Sequence, residues 1–129
     1  MVTSNLTEEM MKSGAQLVQK MDASGSGPDA ACWFYDADAD MWKFIIAEAN
    51  VKKYGARSEY GRILELLRKY PGEFGTLSLD DISLITPNAH PVSVLRRVIN
   101  TGSKITGIRF RKNVIDGVMI DDAYIYRMT

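Results

Sequence analysis

The chain of 129 residues contains a single cysteine, Cys32, and a single histidine, His90. One cysteine excludes an internal disulfide framework and a zinc site built from four cysteines. Sixteen basic residues balance sixteen acidic ones, which excludes a uniformly basic coat for nucleic acid and an acidic solvating tail. No apolar run approaches the roughly 18 residues of a membrane span, and the opening residues MVTSNLTEEMMK do not follow the pattern of a signal peptide. We therefore expect a soluble, cytoplasmic protein with no membrane contact.

What the chain does have is apolar content, because 46% of its residues are hydrophobic. A chain of this size buries about two thirds of its extended surface on folding, which is enough for one core without disulfides or metals. No long linker, repeat or low-complexity segment interrupts it. The prediction is a single α+β domain over residues 1–129.

The first part of the chain predicts a helix followed by a β-hairpin. The helix is expected to begin near Asn5, with Glu8 at capping-box spacing, and to end in the Ser/Gly/Pro-rich loop 24–28. Two apolar runs, 30–35 and 41–48, flank an Asp-rich turn and have the length and composition of strands. Their spacing places two aromatic pairs across the strands: Tyr35 with Trp42, and Trp33 with Phe44.

The middle of the chain predicts two more helices and a short strand. A polar crossing over 50–57 precedes a helix over about 58–70, and a short strand follows at 82–86. The third helix is expected to open at 88–91 and to close at Gly102. Its inward face would consist of four apolar side chains: Val92, Leu95, Val98 and Ile99.

The last segment predicts a hairpin around Asp116-Gly117, a dipeptide typical of type I′ turns. This turn sets Arg111 opposite Asp122, and Lys112 opposite Asp121. The element order is then α-β-β-α-β-α-β-β, which indicates one mixed or antiparallel five-stranded sheet with helices packed on it.

Motifs for metals and cofactors are incomplete. Asp36, Asp38 and Asp40 open like a calcium loop, but Met41 and Ala47 stand where such a loop needs Gly and Glu. The stretch 101–104 resembles the end of a phosphate-binding loop, yet it follows a predicted helix and precedes a strand, the reverse of that motif's order. We predict no metal and no cofactor.

Candidates for catalysis are equally sparse. Cys32 lies in an apolar run where a small buried side chain is expected, and His90 stands alone at a helix entrance. Glu48, at the end of a buried strand, is the one acid that merits inspection, but acid–base chemistry needs a second carboxyl group and the sequence does not indicate one. No catalytic residue is assigned.

Charge is distributed unevenly along the chain. Residues 1–89 carry 9 basic and 13 acidic side chains, whereas residues 90–129 carry 7 basic and 3 acidic ones. A basic surface with nearby tyrosines can bind phosphates and stack a base. The candidates for such a surface are Arg96, Arg97, Arg109, Arg111, Tyr124 and Tyr126. The alternative is internal charge balance, with Arg111 and Lys112 engaged by Asp122 and Asp121 while Arg109 stays free of any acid.

Three helices are too few to cover both faces of such a sheet, so some apolar surface should remain open. We expect the exposed face of the last hairpin to carry Ile115, Val118 and Ile120 beside the arginines. The favoured hypothesis is a non-catalytic domain that forms a homodimer or docks a protein partner through this surface. The alternatives are a phosphate or nucleic-acid binding module and, third, an enzyme with unidentified catalytic residues.

Overall fold

The computed structural model of the protein describes residues 5–129. Within them, helices run over Glu8–Ala23 (α1), Ala49–Tyr54 (α2), Ala56–Lys69 (α3) and Val92–Leu95 (α4). Strands run over Ala30–Asp36 (β1), Met41–Ala47 (β2), Ile82–Ile85 (β3), Ile108–Ile115 (β4) and Val118–Met128 (β5). A 3-10 turn over Leu79–Asp81 leads into β3. The α+β prediction is confirmed: α3 stands where the sequence predicts the second helix, whereas α2 lies in the stretch that was expected to be a polar crossing.

The five strands form one mixed sheet in the order β3-β2-β1-β5-β4. β2 and β3 are parallel, and the other neighbouring pairs are antiparallel. β1 and β5 join the two hairpins at the centre of the sheet. Strands β3 and β4 therefore form the two edges.

The first hairpin has the predicted register. Tyr35 pairs with Trp42 and Trp33 pairs with Phe44. The ring centroids of Trp33 and Phe44 lie 5.0 Å apart in an edge-to-face arrangement, which aromatic pairs favour. The aromatic ladder of the sequence analysis is confirmed.

The last hairpin turns at Asp116 (φ 49°) and Gly117 (φ 80°), both left-handed as a type I′ turn requires. Arg111 pairs with Asp122 as predicted. The ladder is interrupted at Lys112, which also has a positive φ of 45°, and no ion pair joins Lys112 to Asp121 within the described chain. The predicted register is confirmed, but the predicted Lys112–Asp121 contact is wrong because the backbone kinks at that position.

Two apolar cores lie on the two faces of the sheet. The first contains Trp33, Phe44 and Tyr126 and is covered by α1 and α3. The second contains Cys32, Ile45 and Ile125 and is covered by α4 and its flanking loops. Strands β1, β2, β3 and β5 contribute side chains to both cores, whereas the edge strand β4 contributes only to the second and is mostly exposed.

Two predicted helix ends are corrected by the structure. Thr7, not Asn5, caps α1, since its side-chain oxygen accepts a hydrogen bond from the backbone N–H of Met10 at 3.1 Å. The predicted third helix shrinks to α4, Val92–Leu95, and Val98 is 56% exposed instead of facing inward. Its β-branched residues and the lack of a side-chain cap disfavour a longer helix.

Candidate functional site

Glu48 directly follows β2 and is almost completely buried, with 4% of its surface exposed. Its backbone N–H donates to the carbonyl of Ile85 at 3.1 Å, which extends the parallel pairing of β2 with β3. The next backbone N–H, of Ala49, donates to the Asp29 carboxylate at 3.0 Å and fixes the start of α2. Strand alternation puts Glu48 on the same face as Ile46, under α3. Glu48 is thus held by its backbone in an apolar setting.

Glu59 comes from the first turn of α3 and is also buried, with 2% of its surface exposed. Gly55, with a φ of 86°, separates α2 from α3 and lets the chain turn before Glu59. Arg62 Nη1 donates to both carboxylate oxygens of Glu59, at 3.2 and 3.0 Å. The side chain of Arg62 is itself 42% exposed, so the guanidinium that pairs with the buried Glu59 carboxylate remains in contact with solvent.

The carboxyl groups of Glu48 and Glu59 act on each other. Burial, followed by a hydrogen bond with Glu59, raises the pKa of Glu48 from an ordinary 4.5 to about 8. Glu48 therefore holds a proton at neutral pH, while the Glu59 carboxylate pairs with Arg62. Glu48 Oε1 is buried and has no hydrogen-bond partner among the described residues. An unpartnered buried oxygen is costly, which marks this atom as unusual within the fold.

Both carboxyl groups line a cavity of about 600 Å³. This volume lies in the range of small-molecule sites, about 300–1,000 Å³. Met21 of α1 and Ile63 and Leu66 of α3 give it apolar walls. Ser24 and Ser26, in the loop after α1, also line it, and their hydroxyl oxygens lie 3.0 Å apart. The cavity thus combines apolar walls with a few convergent polar groups, as ligand sites do.

Sequence reasoning found one half of this pair. Glu48 was the acid singled out, but its partner was missed because Glu59 lay at the uncertain start of a predicted helix. One signal was present in the sequence: Glu59 precedes Ile63 by four residues and Leu66 by seven, which places it on the apolar face of α3. A carboxyl group in an apolar stripe is a reason to look for a second one.

The structure does not gather the four predicted arginines into one surface. Arg109 binds the Asp122 carboxylate with two hydrogen bonds, at 2.6 and 2.5 Å, which raises the pKa of the guanidinium. Arg111 Nε lies 3.4 Å from the same carboxylate. The expectation that Arg109 is free of any acid is wrong, because the side chain reaches diagonally to the neighbouring residue of β5.

The other two arginines lie beside the second core. Arg97 Nη1 is 2.5 Å from Asp116 Oδ2 in the last turn, and Arg96 Nη1 donates to the carbonyl of Pro87 at 3.2 Å. The Arg109 guanidinium, in contrast, lies 5.6 Å from the centre of the Trp42 ring, which belongs to the first core. These contacts favour internal charge balance over a phosphate-binding surface.

The two tyrosines proposed to stack bases are engaged inside the protein. Tyr126 is 1% exposed, and its hydroxyl donates to the carbonyl of Met11 at 2.5 Å. Tyr124 is half-buried and packs edge-to-face on Tyr126, with ring centroids 5.2 Å apart. Tyr126 therefore offers no face to a nucleic-acid base.

The predicted interface residues do not lie on the exposed face. Ile115 is 6% exposed, Ile120 is fully buried, and Val118 packs against the second core. Past the kink at Lys112, these side chains turn to the opposite face from the one expected. The exposed apolar side chains at this tip are their neighbours Val114 (60%) and Met119 (53%), which pair directly across the strands.

The remaining polar candidates have local partners. The Asp36 carboxylate pairs with Lys43 Nζ at 3.0 Å and accepts from two backbone N–H groups of its turn, which together lower its pKa. The Tyr35 hydroxyl donates to the Asp40 carboxylate. No group of three or more potential ligands suited to a metal occurs in residues 5–129. Cys32 is buried, and burial raises the pKa of its thiol to about 12, which suits a core residue and not a nucleophile.

Over residues 5–129, no helix has both the length and the apolar character needed to cross a bilayer. Neither a protein family, nor a curated protein, nor a solved structure matches the chain.

Proposed function

We propose that this protein binds a small molecule carrying a primary ammonium group, with Glu48 and Glu59 as the recognition pair. The observation that carries the proposal is the buried Glu48 Oε1, which lacks a hydrogen-bond partner within the described chain although its residue lines a cavity. The terminal torsion of a glutamate is broad, so a small rotation presents either oxygen to a ligand. An ammonium group supplies three N–H donors and a positive charge. The carboxyl oxygens of Glu48 and Glu59 can accept its hydrogen bonds, and an ionised carboxylate balances its charge.

Stability alone does not account for such a pair. Two buried carboxyl groups cost desolvation energy, and apolar residues of similar volume are often as stable or more stable. Arg62 forms its ion pair with Glu59, and its charge lowers the pKa of Glu48 less than burial and Glu59 raise it, while Asp29 repels the ionised form of Glu48. A bound cation would supply the missing partner. Groups with shifted pKa values at a cavity are typical of functional sites.

Binding of an ammonium group replaces the proton that Glu48 holds. One proton should therefore leave for each cation bound near neutral pH, and affinity should rise with pH until Glu48 is ionised, at about pH 8. A neutral ligand would bind without releasing this proton. Proton release thus distinguishes an ammonium ligand from a neutral hydrogen-bond donor.

The test is a titration of the full chain with n-hexylamine hydrochloride, followed by NMR at about pH 6 and about pH 8. We expect shifts confined to residues around the cavity and tighter binding at the higher pH. Glu48→Gln should remove the pH dependence and weaken binding at least several-fold. Glu8→Gln, which alters an exposed carboxylate on α1 that does not line the cavity, is the matched control. Equal binding by the parent protein and Glu48→Gln would refute the proposal.

A second candidate function is self-association through Val114 and Met119. These side chains are exposed side by side at the tip of a hairpin, and a two-fold interface would place each patch against its own copy. Light scattering at micromolar protein should then give twice 14.4 kDa. Met119→Lys should return the monomer mass, whereas Met41→Lys, at an exposed methionine on β2, should not. A parent protein of 14.4 kDa at every concentration would exclude this candidate.

A further inference from the structure

Charge is segregated along the cavity that contains Glu48 and Glu59. The two glutamates that line it are buried, whereas Arg68 and Lys69, which line it from the end of α3, are exposed. Glu65 also lines the cavity and is exposed, so the two exposed cations exceed the exposed acid by one charge. The cavity thus combines two buried carboxyl groups, one of them paired with Arg62, with exposed cations at its entrance.

Arg68 is available to a ligand. Among residues 5–129 it makes no ion pair and no hydrogen bond through its side chain, unlike Arg62, which is engaged by Glu59. Lys69 Nζ lies 5.6 Å from the centre of the Tyr70 ring, a contact that leaves its donors free. An unpaired guanidinium at the entrance can bind a carboxylate through two parallel hydrogen bonds.

We propose that the ligand is a zwitterion, with its ammonium group at Glu48 and Glu59, its carboxylate at Arg68, and an apolar linker between them. The inference rests on the proposed function and adds the second recognition point. Ile63 and Leu66 lie on the same side of α3 as Glu59 and line the cavity together with Met21 of α1. Methylene groups of a linker would bury apolar surface against these side chains.

The length of the helix sets the length of the linker. Glu59 and Arg68 are separated by nine residues of α3, which is about 13 Å along its axis at 1.5 Å per residue and two and a half turns around it. Arg68 therefore starts from the opposite side of α3 to Glu59, although both residues line the cavity, so the ligand has to bridge a gap of several carbon atoms. An α-amino acid is too short to span it, since its two charged groups flank one carbon atom. An ω-amino acid with several methylene groups fits the cavity better.

The experiment compares 6-aminohexanoate with n-hexylamine, hexanoate and 4-aminobutanoate by the same NMR titration. We expect 6-aminohexanoate to bind at least five-fold tighter than hexylamine, and 4-aminobutanoate to bind more weakly than 6-aminohexanoate. Arg68→Ala should reduce the affinity for 6-aminohexanoate to that for hexylamine and leave hexylamine binding unchanged. Arg57→Ala, an exposed arginine near the other end of α3, should leave both affinities unchanged.

The outcomes separate the two proposals. If hexylamine binds as tightly as 6-aminohexanoate, or if Arg68→Ala affects both ligands equally, the ligand is a simple amine: the zwitterion is overturned and the proposed function stands. If neither ligand binds, both proposals fail. If hexanoate binds as well as 6-aminohexanoate, the ammonium site is wrong, and the entrance cations alone hold an anion.

Discussion

Glu48 and Glu59 come from different elements and are both buried beside one cavity, where Glu59 helps to raise the pKa of Glu48 and is itself paired with Arg62. The interaction between the two carboxyl groups affects the stability of the protein as well as binding of the proposed ligand. β2 and β3 hold the backbone of Glu48, and α3 supplies Glu59. Glu48, Glu59 and Arg62 can each be substituted separately to test this interaction.

The raised pKa of Glu48 predicts that stability falls as pH rises. In the unfolded chain Glu48 ionises near its ordinary pKa of 4.5, whereas in the folded protein it keeps its proton up to about pH 8. Between these values the unfolded state binds fewer protons, so increasing pH favours unfolding by up to about 1.4 kcal/mol per pH unit. Above about pH 8 this contribution should level off.

Glu48→Gln tests this prediction, because glutamine keeps a donor for Glu59 and cannot ionise. Urea denaturation at about pH 5 and about pH 8 should show a variant that is more stable than the parent at the higher pH only. Glu65→Gln, at an exposed site on α3, should follow the parent profile at both. Parallel profiles for the parent and Glu48→Gln would contradict the protonated state of Glu48.

Removal of Arg62 should leave Glu59 buried without its cation. We expect Arg62→Gln to lower the free energy of unfolding by about 1–3 kcal/mol, the cost of leaving a buried group unsatisfied. The loss should lie toward the lower end of this range, because the Arg62 guanidinium is partly exposed and its ion pair is screened by solvent. The double variant Glu59→Gln/Arg62→Gln should lose less than the sum of the two single variants, as contacting residues do. Additive losses in urea denaturation would show that the pair does not interact.

Gly14→Ala should destabilise the protein, because α1 packs closely on the sheet at this residue. An added Cβ would lie 2.7 Å from Phe44 Cε2 and would also clash with the Tyr126 hydroxyl, whose side chain is buried. Overpacking of this kind costs about 1–3 kcal/mol. Gly61→Ala is the matched control, since a Cβ in that part of α3 meets nothing within 4 Å and should stabilise the helix by up to about 1 kcal/mol. Thermal denaturation of the two variants should therefore shift in opposite directions.

Gly117→Val should destabilise the last hairpin through backbone strain alone. Gly117 has a φ of 80°, and a Cβ there would meet nothing within 4 Å, so steric contact is not involved. A β-branched residue in this conformation costs about 1–3 kcal/mol. The denaturation midpoint should fall with an unchanged slope. Gly117→Asn, which tolerates a positive φ, should lose clearly less, and equal losses would mean that the turn conformation is not the cause.

The sequence by itself determined the two hairpins and the order of the elements. The pairing of Tyr35 with Trp42 and the turn at Asp116-Gly117 were both predictable. The reason is that a hairpin register depends on residues close in the chain, namely the turn chemistry and the alternation of its strands. The sequence also indicated that Glu48 was out of place at the end of an apolar strand.

Only the tertiary structure decided which distant groups meet. It brought Glu59 to Glu48, paired β3 parallel to β2, and gave Asp122 to Arg109 as well as to Arg111. These contacts depend on how separate elements pack and on the kink at Lys112, which local propensity does not encode. The candidate site is one of the features that only the tertiary structure decides, because the protonation state of a buried carboxyl group depends on the groups that packing places around it.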